Sequence, residues 1–165
     1  MLMLPIHFES CVALRAPADA VFAYVDDPNH LSGHMSQSSW MMAGSRMAIE
    51  LDAADGHAVG STIRLSGRVL GIHLSVEEVV TERAPPLRKV WETIGTPNLV
   101  VIGPYGMGFE ITPQGDSSQL RVFIDYAFPD AWPARWLGRV LGNVYARWCT
   151  QRMANDAAKY FREST

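Results

Sequence analysis

Cysteine is scarce in this chain: two in 165 residues, Cys11 and Cys149, far apart and each set among apolar neighbours. Such isolated cysteines read as small core residues, not as a bridge. No Cys-x-x-Cys pair or Cys/His cluster offers the ligands of a structural zinc site. Charge is sparse as well, with Lys+Arg 14 against Asp+Glu 17 and a net charge of −3. That balance leaves no generally basic surface for nucleic acid. The hydrophobic share, 48%, is too high for intrinsic disorder. Long apolar runs are missing: the uncharged stretch Thr93 to Phe109 carries Pro97, Pro104 and four glycines and falls short of a membrane span. The opening MLMLPIHF has no basic segment and meets Glu9 too early for a secretory signal. There is no His-Glu-x-x-His motif and no Gly-x-Ser-x-Gly elbow. The expectation is one cytoplasmic domain over residues 1–165, without stable membrane insertion, nucleic-acid partner, metal or cofactor. Oligomeric state stays open, a homodimer included.

What is present is periodicity. Residues 7–15 alternate, with Phe8, Ser10, Val12 and Leu14 on one side and His7, Glu9, Cys11 and Ala13 on the other, which predicts a strand. Ala16-Pro17-Ala18-Asp19 opens a helix whose apolar stripe is Val21, Phe22 and Val25, and Asp26-Asp27-Pro28 ends it. A second short helix is expected over 28–36. From 46 to 128 the texture is all strand, in segments 46–53, 60–70, 72–83, 87–95, 99–112 and 119–128. The breaks between them are short and rich in Gly, Pro and Asp, so the strands pair as an antiparallel meander. Residues 132–162 change period: Leu137, Val140, Leu141, Val144, Trp148, Met153, Ala157 and Phe161 recur at helical spacing, with Pro133 in the first turn. The fold class is α+β, strand, two short helices, six-stranded meander and a long C-terminal helix, the only element large enough to cover the apolar face of a curved sheet.

Local phrases in this order resemble a known superfamily. They are Ala16-Pro17-Ala18-Asp19-Ala20-Val21-Phe22 after the first strand, Val59-Gly60-Ser61, Val80-Thr-Glu-Arg-Ala-Pro85-Pro86, Phe109-Glu-Ile111-Thr-Pro113, and Tyr126-Ala-Phe128-Pro129 before the long helix. Together they resemble the START-like, or SRPBCC, superfamily with its Bet v 1-like helix-grip fold, closest to the polyketide cyclase/dehydrase-like members. The resemblance implies a hydrophobic cavity between sheet and last helix, taking a lipid-, quinone- or polyketide-like molecule. It carries over no catalytic motif.

Register arithmetic indicates which residues face such a cavity. A turn around 114–117 sets Tyr105 opposite Tyr126, Met107 opposite Ile124, Phe109 opposite Val122 and Ile111 opposite Leu120. The other face then carries Glu110, Arg121 and Asp125, which a one-residue slip would bury. A turn at Gly71 puts Ile63, Leu65 and Val69 with Ile72, Leu74 and Val76, and leaves His73 outside. The same inward parity places Glu78 among apolar neighbours, and a Pro85-Pro86 turn sets it opposite Glu92. Two facing carboxylates in a low-dielectric space cannot both ionise cheaply, so one would hold a proton or a cation would sit beside them. A bulge near Glu77-Glu78 would instead turn both to solvent. Both readings stand.

The expected ligand contacts are Trp40, Glu78, Glu92, Tyr105, Met107, Phe109, Tyr126, Trp136 and Val140. The hydroxyls of Tyr105 and Tyr126 are the candidate polar tips on an apolar wall, and Trp40-Met41-Met42 a candidate lid. His30 and His34 stand at metal-ligand spacing but lack a third ligand and read as surface or cavity-mouth residues. Gly103, Gly106 and Gly108 lie within a strand with no helix after them and read as bends of the sheet. Gly138 and Gly142 read as a close approach of helix to sheet. Arg135, Arg139, Arg147 and Arg152 read as a solvated helix face, or as a contact for an anionic surface. Three functions compete: a carrier or sensor of a hydrophobic small molecule, a cyclase or dehydratase using the tyrosines with Glu78 and Glu92, and an interaction domain whose cavity is filled by its own side chains. A cavity volume separates the third, and a shifted carboxyl pKa favours the second over the first.

Overall fold

In the computed structural model, residues 4–33 and 47–164 are described. Strand β1 (Ile6–Leu14) is followed by helices α1 (Ala18–Val25) and α2 (Pro28–Leu31). Strands β2 (Met47–Leu51), β3 (Thr62–Val69), β4 (Ile72–Ala84), β5 (Arg88–Asn98), β6 (Tyr105–Gln114) and β7 (Ser117–Tyr126) come next, and helix α3 (Ala134–Glu163) ends the chain. The strands form one antiparallel sheet in the order β1-β7-β6-β5-β4-β3-β2. The predicted helix-grip architecture is the one observed. The expected lid, Trp40 to Met42, and His34 lie outside the described residues.

Local chemistry explains the early elements. Pro17 precedes the first turn of α1, whose Val21, Phe22 and Val25 are buried. Asp27 caps α2 by accepting from the Asn29 backbone N–H at 2.9 Å, replacing a hydrogen bond that a helix start lacks. β1 alternates as its sequence predicts, and it closes the sheet by pairing with β7 from Ile6–Tyr126 to Leu14–Ser118.

The β6–β7 register is the predicted one, including Tyr105 opposite Tyr126 and Phe109 opposite Val122. The apolar side is buried and the charged side faces outward, where Arg121 joins Glu9 at 2.7 Å and Glu110 at 2.5 Å. β3 and β4 also pair as expected, with Ile63 opposite Glu78 and Leu65 opposite Val76.

Two regions differ from expectation. β6 begins at Tyr105, not 99. Residues 99–104 leave the sheet and run beneath α3, where Ile102 is buried. Pro104 cannot donate to a ladder, which favours the exit. The second difference lies between β4 and β5, where the register shifts between Val80 and Glu82 and again between Ser75 and Glu77. Glu78 therefore faces Thr93, and Glu92 faces Val79. One residue of slip reverses the faces of β5: Lys89, Trp91 and Thr93 point in, and Glu92 is exposed.

The long helix docks by only part of the predicted face: Met153 and Ala157 are buried, whereas Val140, Leu141 and Val144 are exposed. Apart from Met153, its buried residues are small: Gly138, Gly142, Ala146, Cys149, Thr150, Ala154 and Ala157. A Cβ on Gly142 would stand 2.9 Å from the Val101 carbonyl oxygen, and one on Gly138 would stand 2.8 Å from Pro129 Cδ. Close backbone approach selects small residues there, as their spacing suggested. It also turns the large apolar residues away: Trp136 is 60% exposed and Val140 53%.

α3 packs on β1 and β7, and α1 packs on β6 and β7. Among the described residues, the helices pack far less closely on β3, β4 and β5 than on β1, β6 and β7. That loosely covered span is where the cavity forms.

Candidate functional site

Two adjoining chambers lie between the sheet and α3. The inner one, about 50 Å³, is lined by Ile63 and Leu65 of β3, Glu78 of β4, Lys89 and Trp91 of β5, Tyr105 and Met107 of β6, and Tyr145, Cys149 and Met153 of α3. The outer one, about 360 Å³, is lined by apolar side chains from the β3–β4 turn, the 99–102 segment and α3, Leu70, Leu74, Val100, Leu141 and Val144 among them. Leu99, Ile102 and Tyr145 belong to both walls. The outer volume falls in the lower part of the usual range for small-molecule sites, about 300–1,000 Å³.

Glu78 is the polar centre of the inner chamber. It is 5% exposed, and its Oε1 accepts the Tyr105 hydroxyl. The Trp91 indole N–H also donates to it. Burial pushes the carboxyl from 4.5 up to about 7, against the two hydrogen bonds, which pull it down. Among the described residues no cation pairs with it. At neutral pH it therefore exchanges a proton readily, the state a general acid or base needs. Tyr105 is held in turn from behind: its backbone N–H donates to Thr93 Oγ1 at 3.3 Å. Burial raises the Tyr105 phenol well above its ordinary value, and the neighbouring Glu78 adds to this. Burial does the same to Tyr145, and it pushes the Cys149 thiol up to about 12 despite a hydrogen bond from Tyr145. These groups stay protonated, so Cys149 is no nucleophile at neutral pH.

Lys89 is 1% exposed, and its Nζ is engaged at the edge of the chamber. It donates to the Asp26 backbone oxygen and to Asp26 Oδ1, each at 2.8 Å. Arg83 donates to the other Asp26 oxygen at 2.8 Å. Burial works against ionisation of Asp26, but the bonds and charges of Arg83 and Lys89 outweigh it and hold the carboxyl below its ordinary value. This cluster ties α1 to the sheet.

The structure brings together only part of the sequence-predicted set. Glu78, Tyr105 and Met107 share the inner chamber. Phe109 lies deeper, packed edge-on to Phe22 of α1 at 5.6 Å. Tyr126 is fully buried, and its hydroxyl donates to Asn143 Oδ1 at 2.5 Å, which fastens β7 to α3. Glu92 is corrected to the outer face by the bulge. Trp136 and Val140 are corrected to the exposed side of α3, because the helix docks by its glycines. Trp40 lies outside the described residues. Sequence reasoning missed Trp91, Thr93, Tyr145 and the Lys89–Asp26 pair. Only Trp91 and Thr93 had a usable signal, since any slip that removes Glu92 must bring in its neighbours. His30 stacks on Tyr24 at 4.4 Å and donates from Nδ1 to the Tyr24 carbonyl oxygen at 2.9 Å. Among the described residues no three His, Cys, Asp or Glu side chains gather as metal ligands, and no helix is long and apolar enough to cross a membrane.

Comparison with known proteins agrees with this geometry. Residues 5–160 match the family model described as polyketide cyclase / dehydrase and lipid transport. No curated protein sequence matches. Among solved structures, norcoclaurine synthase from Thalictrum flavum is 18% identical over 94% of this chain and 92% of its own, with a TM-score of 0.64. The same synthase is known in complex with dopamine and hydroxybenzaldehyde. A protein of Thermus thermophilus is 12% identical, covering 97% of this chain and 99% of its own, at a TM-score of 0.68. The Zhui aromatase/cyclase of a Streptomyces species is 15% identical, covering 92% and 93%, at 0.61. At these identities the structures share the fold.

Proposed function

The chain belongs to the polyketide cyclase / dehydrase and lipid transport family, and from that premise we propose that it binds a mostly apolar small molecule, lipid-, quinone- or polyketide-like, between the sheet and α3. The observation that carries this reading is the pair of apolar chambers with one buried carboxyl–hydroxyl pair at the inner end. A domain that filled its own cavity would show no such space. We place the protein in the cytoplasm as part of the same proposal. Native mass spectrometry of the protein purified from its own cells tests it: a co-purified small molecule is expected, released on unfolding. Absence of any adduct, together with no binding of the neutral dye N-phenyl-1-naphthylamine, would sink the proposal.

One observation favours a second reading, in which the site also catalyses. Glu78 titrates near neutral pH and is held by Tyr105, the arrangement that a proton transfer next to a substrate carbonyl requires. In a cyclase or dehydratase of this kind, Glu78 would take a proton alpha to the carbonyl, and the Tyr105 hydroxyl would donate to the developing enolate oxygen. Exchange of alpha hydrogen for deuterium in a bound ketone, lost in Glu78→Gln, is the expected signature. Binding without exchange would leave a carrier.

A further inference from the structure

The two chambers differ in size and chemistry, and the difference bears on the ligand. The inner chamber, about 50 Å³, accommodates the smaller end of a ligand. Its wall carries the bonded Glu78–Tyr105 pair, with Ser32, Lys89, Tyr145 and Cys149 as further polar side chains. The outer chamber is several times larger, and no charged group stands among the described residues of its wall. The two adjoin at Leu99, Ile102 and Tyr145, which border both.

Charge fixes the nature of the inner group. The titratable side chains lining the inner chamber are Glu78 of β4, Lys89 of β5, Tyr105 of β6 and Tyr145 and Cys149 of α3. Burial keeps the two phenols and the thiol protonated. Lys89, the cation in this wall, is already bonded to Asp26. An anionic head would therefore meet a carboxyl and no available cation among these residues, and two carboxyls sharing a site cannot both ionise cheaply. Resting on the proposed binding function, we infer that the ligand is an amphiphile that spans the two adjoining chambers head-inward, with an uncharged hydroxyl or carbonyl head beside the bonded Glu78–Tyr105 pair and an apolar tail in the outer chamber. The site then rejects the same tail when it carries a carboxylate.

The test uses the intact protein at pH 8 with N-phenyl-1-naphthylamine bound, displaced by probes of equal chain length: 1-decanol, decanoate and decylamine. Decanol is expected to displace the dye at about ten-fold lower concentration than decanoate, the factor that one pKa unit of charge penalty represents. In Glu78→Gln that gap should fall below about three-fold, because the isosteric amide removes the charge and keeps the shape. Along the series butanol, hexanol, octanol and decanol, affinity should rise about three- to four-fold per methylene, the value of burying each one. Equal displacement by decanoate and decanol overturns the inference. So does an unchanged gap in Glu78→Gln, a flat chain-length series, or decylamine binding tighter than decanol. If the dye binds and no decyl probe displaces it, the head-inward arrangement fails and the cavity remains a ligand site. If the dye itself does not bind, the binding function fails with it.

Discussion

Asp26 and Glu78 are both carboxyls buried inside the same fold, and they meet opposite company. Asp26 receives Lys89 and Arg83, each at 2.8 Å, and is held ionised. Glu78 receives the Tyr105 hydroxyl and the Trp91 indole, both uncharged, and burial lifts it to about 7. One strand supplies both environments: on the inner face of β5, Lys89 closes the first and Trp91, two residues on, borders the second. A buried acid whose charge is matched serves structure. One whose charge is left unmatched beside empty space is free to answer to a ligand.

The largest test of that contrast removes the match. Lys89→Met strands Asp26 in a buried site with part of its partnership gone, and it should cost about 3–5 kcal/mol in urea unfolding. Asp26→Leu with Lys89→Met should recover part of that loss. A cost under about 1 kcal/mol would show that the pair does not hold α1 to the sheet.

The two acids should also give pH dependences of opposite sign. The folded state keeps the Glu78 proton between 4.5 and about 7, whereas the unfolded state releases it. Stability attributable to Glu78 thus falls as pH rises through that window, by up to about 3 kcal/mol, and then levels off. Glu78→Gln should lack this slope. Asp26, held below its ordinary value, stabilises at neutral pH and loses that contribution as pH falls below the usual carboxylate range. Urea unfolding of the wild type and both single variants, Glu78→Gln and Asp26→Asn, across pH 3 to 8 measures both signs.

Tyr105→Phe should cost about 1–3 kcal/mol by leaving a buried acceptor short of a partner. It should also raise the Glu78 midpoint further, since the hydroxyl favours the ionised form. Smallest of all, Trp136→Ser and Val140→Ser should change stability by no more than about 0.5 kcal/mol and leave dye affinity intact, because both side chains face away from the chambers. Loss of binding in either would return the exposed side of α3 to the site.

Legibility in the sequence followed the cost of error. β6 and β7 carry Phe109, Ile111, Val122 and Ile124 against Glu110, Arg121 and Asp125, so a slip buries charge, and the register could be read. β4 and β5 carry acids and bases on both faces, Glu77 beside Glu78 and Arg88 beside Lys89, so parity could not locate the shift between Val80 and Glu82. The sequence left open whether Glu78 and Glu92 both face inward or both face solvent, and the structure divides them, Glu78 inward and Glu92 outward. In α3 the large apolar residues follow a helical period, but the buried face was set by Gly138, Gly142 and Ala146, which hydrophobicity ranks low and close packing requires. Lys89 meets Asp26 across 63 positions of sequence, a long-range pairing with no local trace.

Among the described residues Glu78 has no cationic partner at the inner end of the proposed ligand chamber. The most direct measurement of that state is the side-chain carboxyl ¹³C shift of Glu78 followed over pH 4 to 9, without and with saturating 1-decanol. The account predicts a midpoint near 7 in the free protein, moving upward when decanol displaces water from the chamber and removes its solvation of the anion. A midpoint at the ordinary glutamate value, unmoved by decanol, would contradict it.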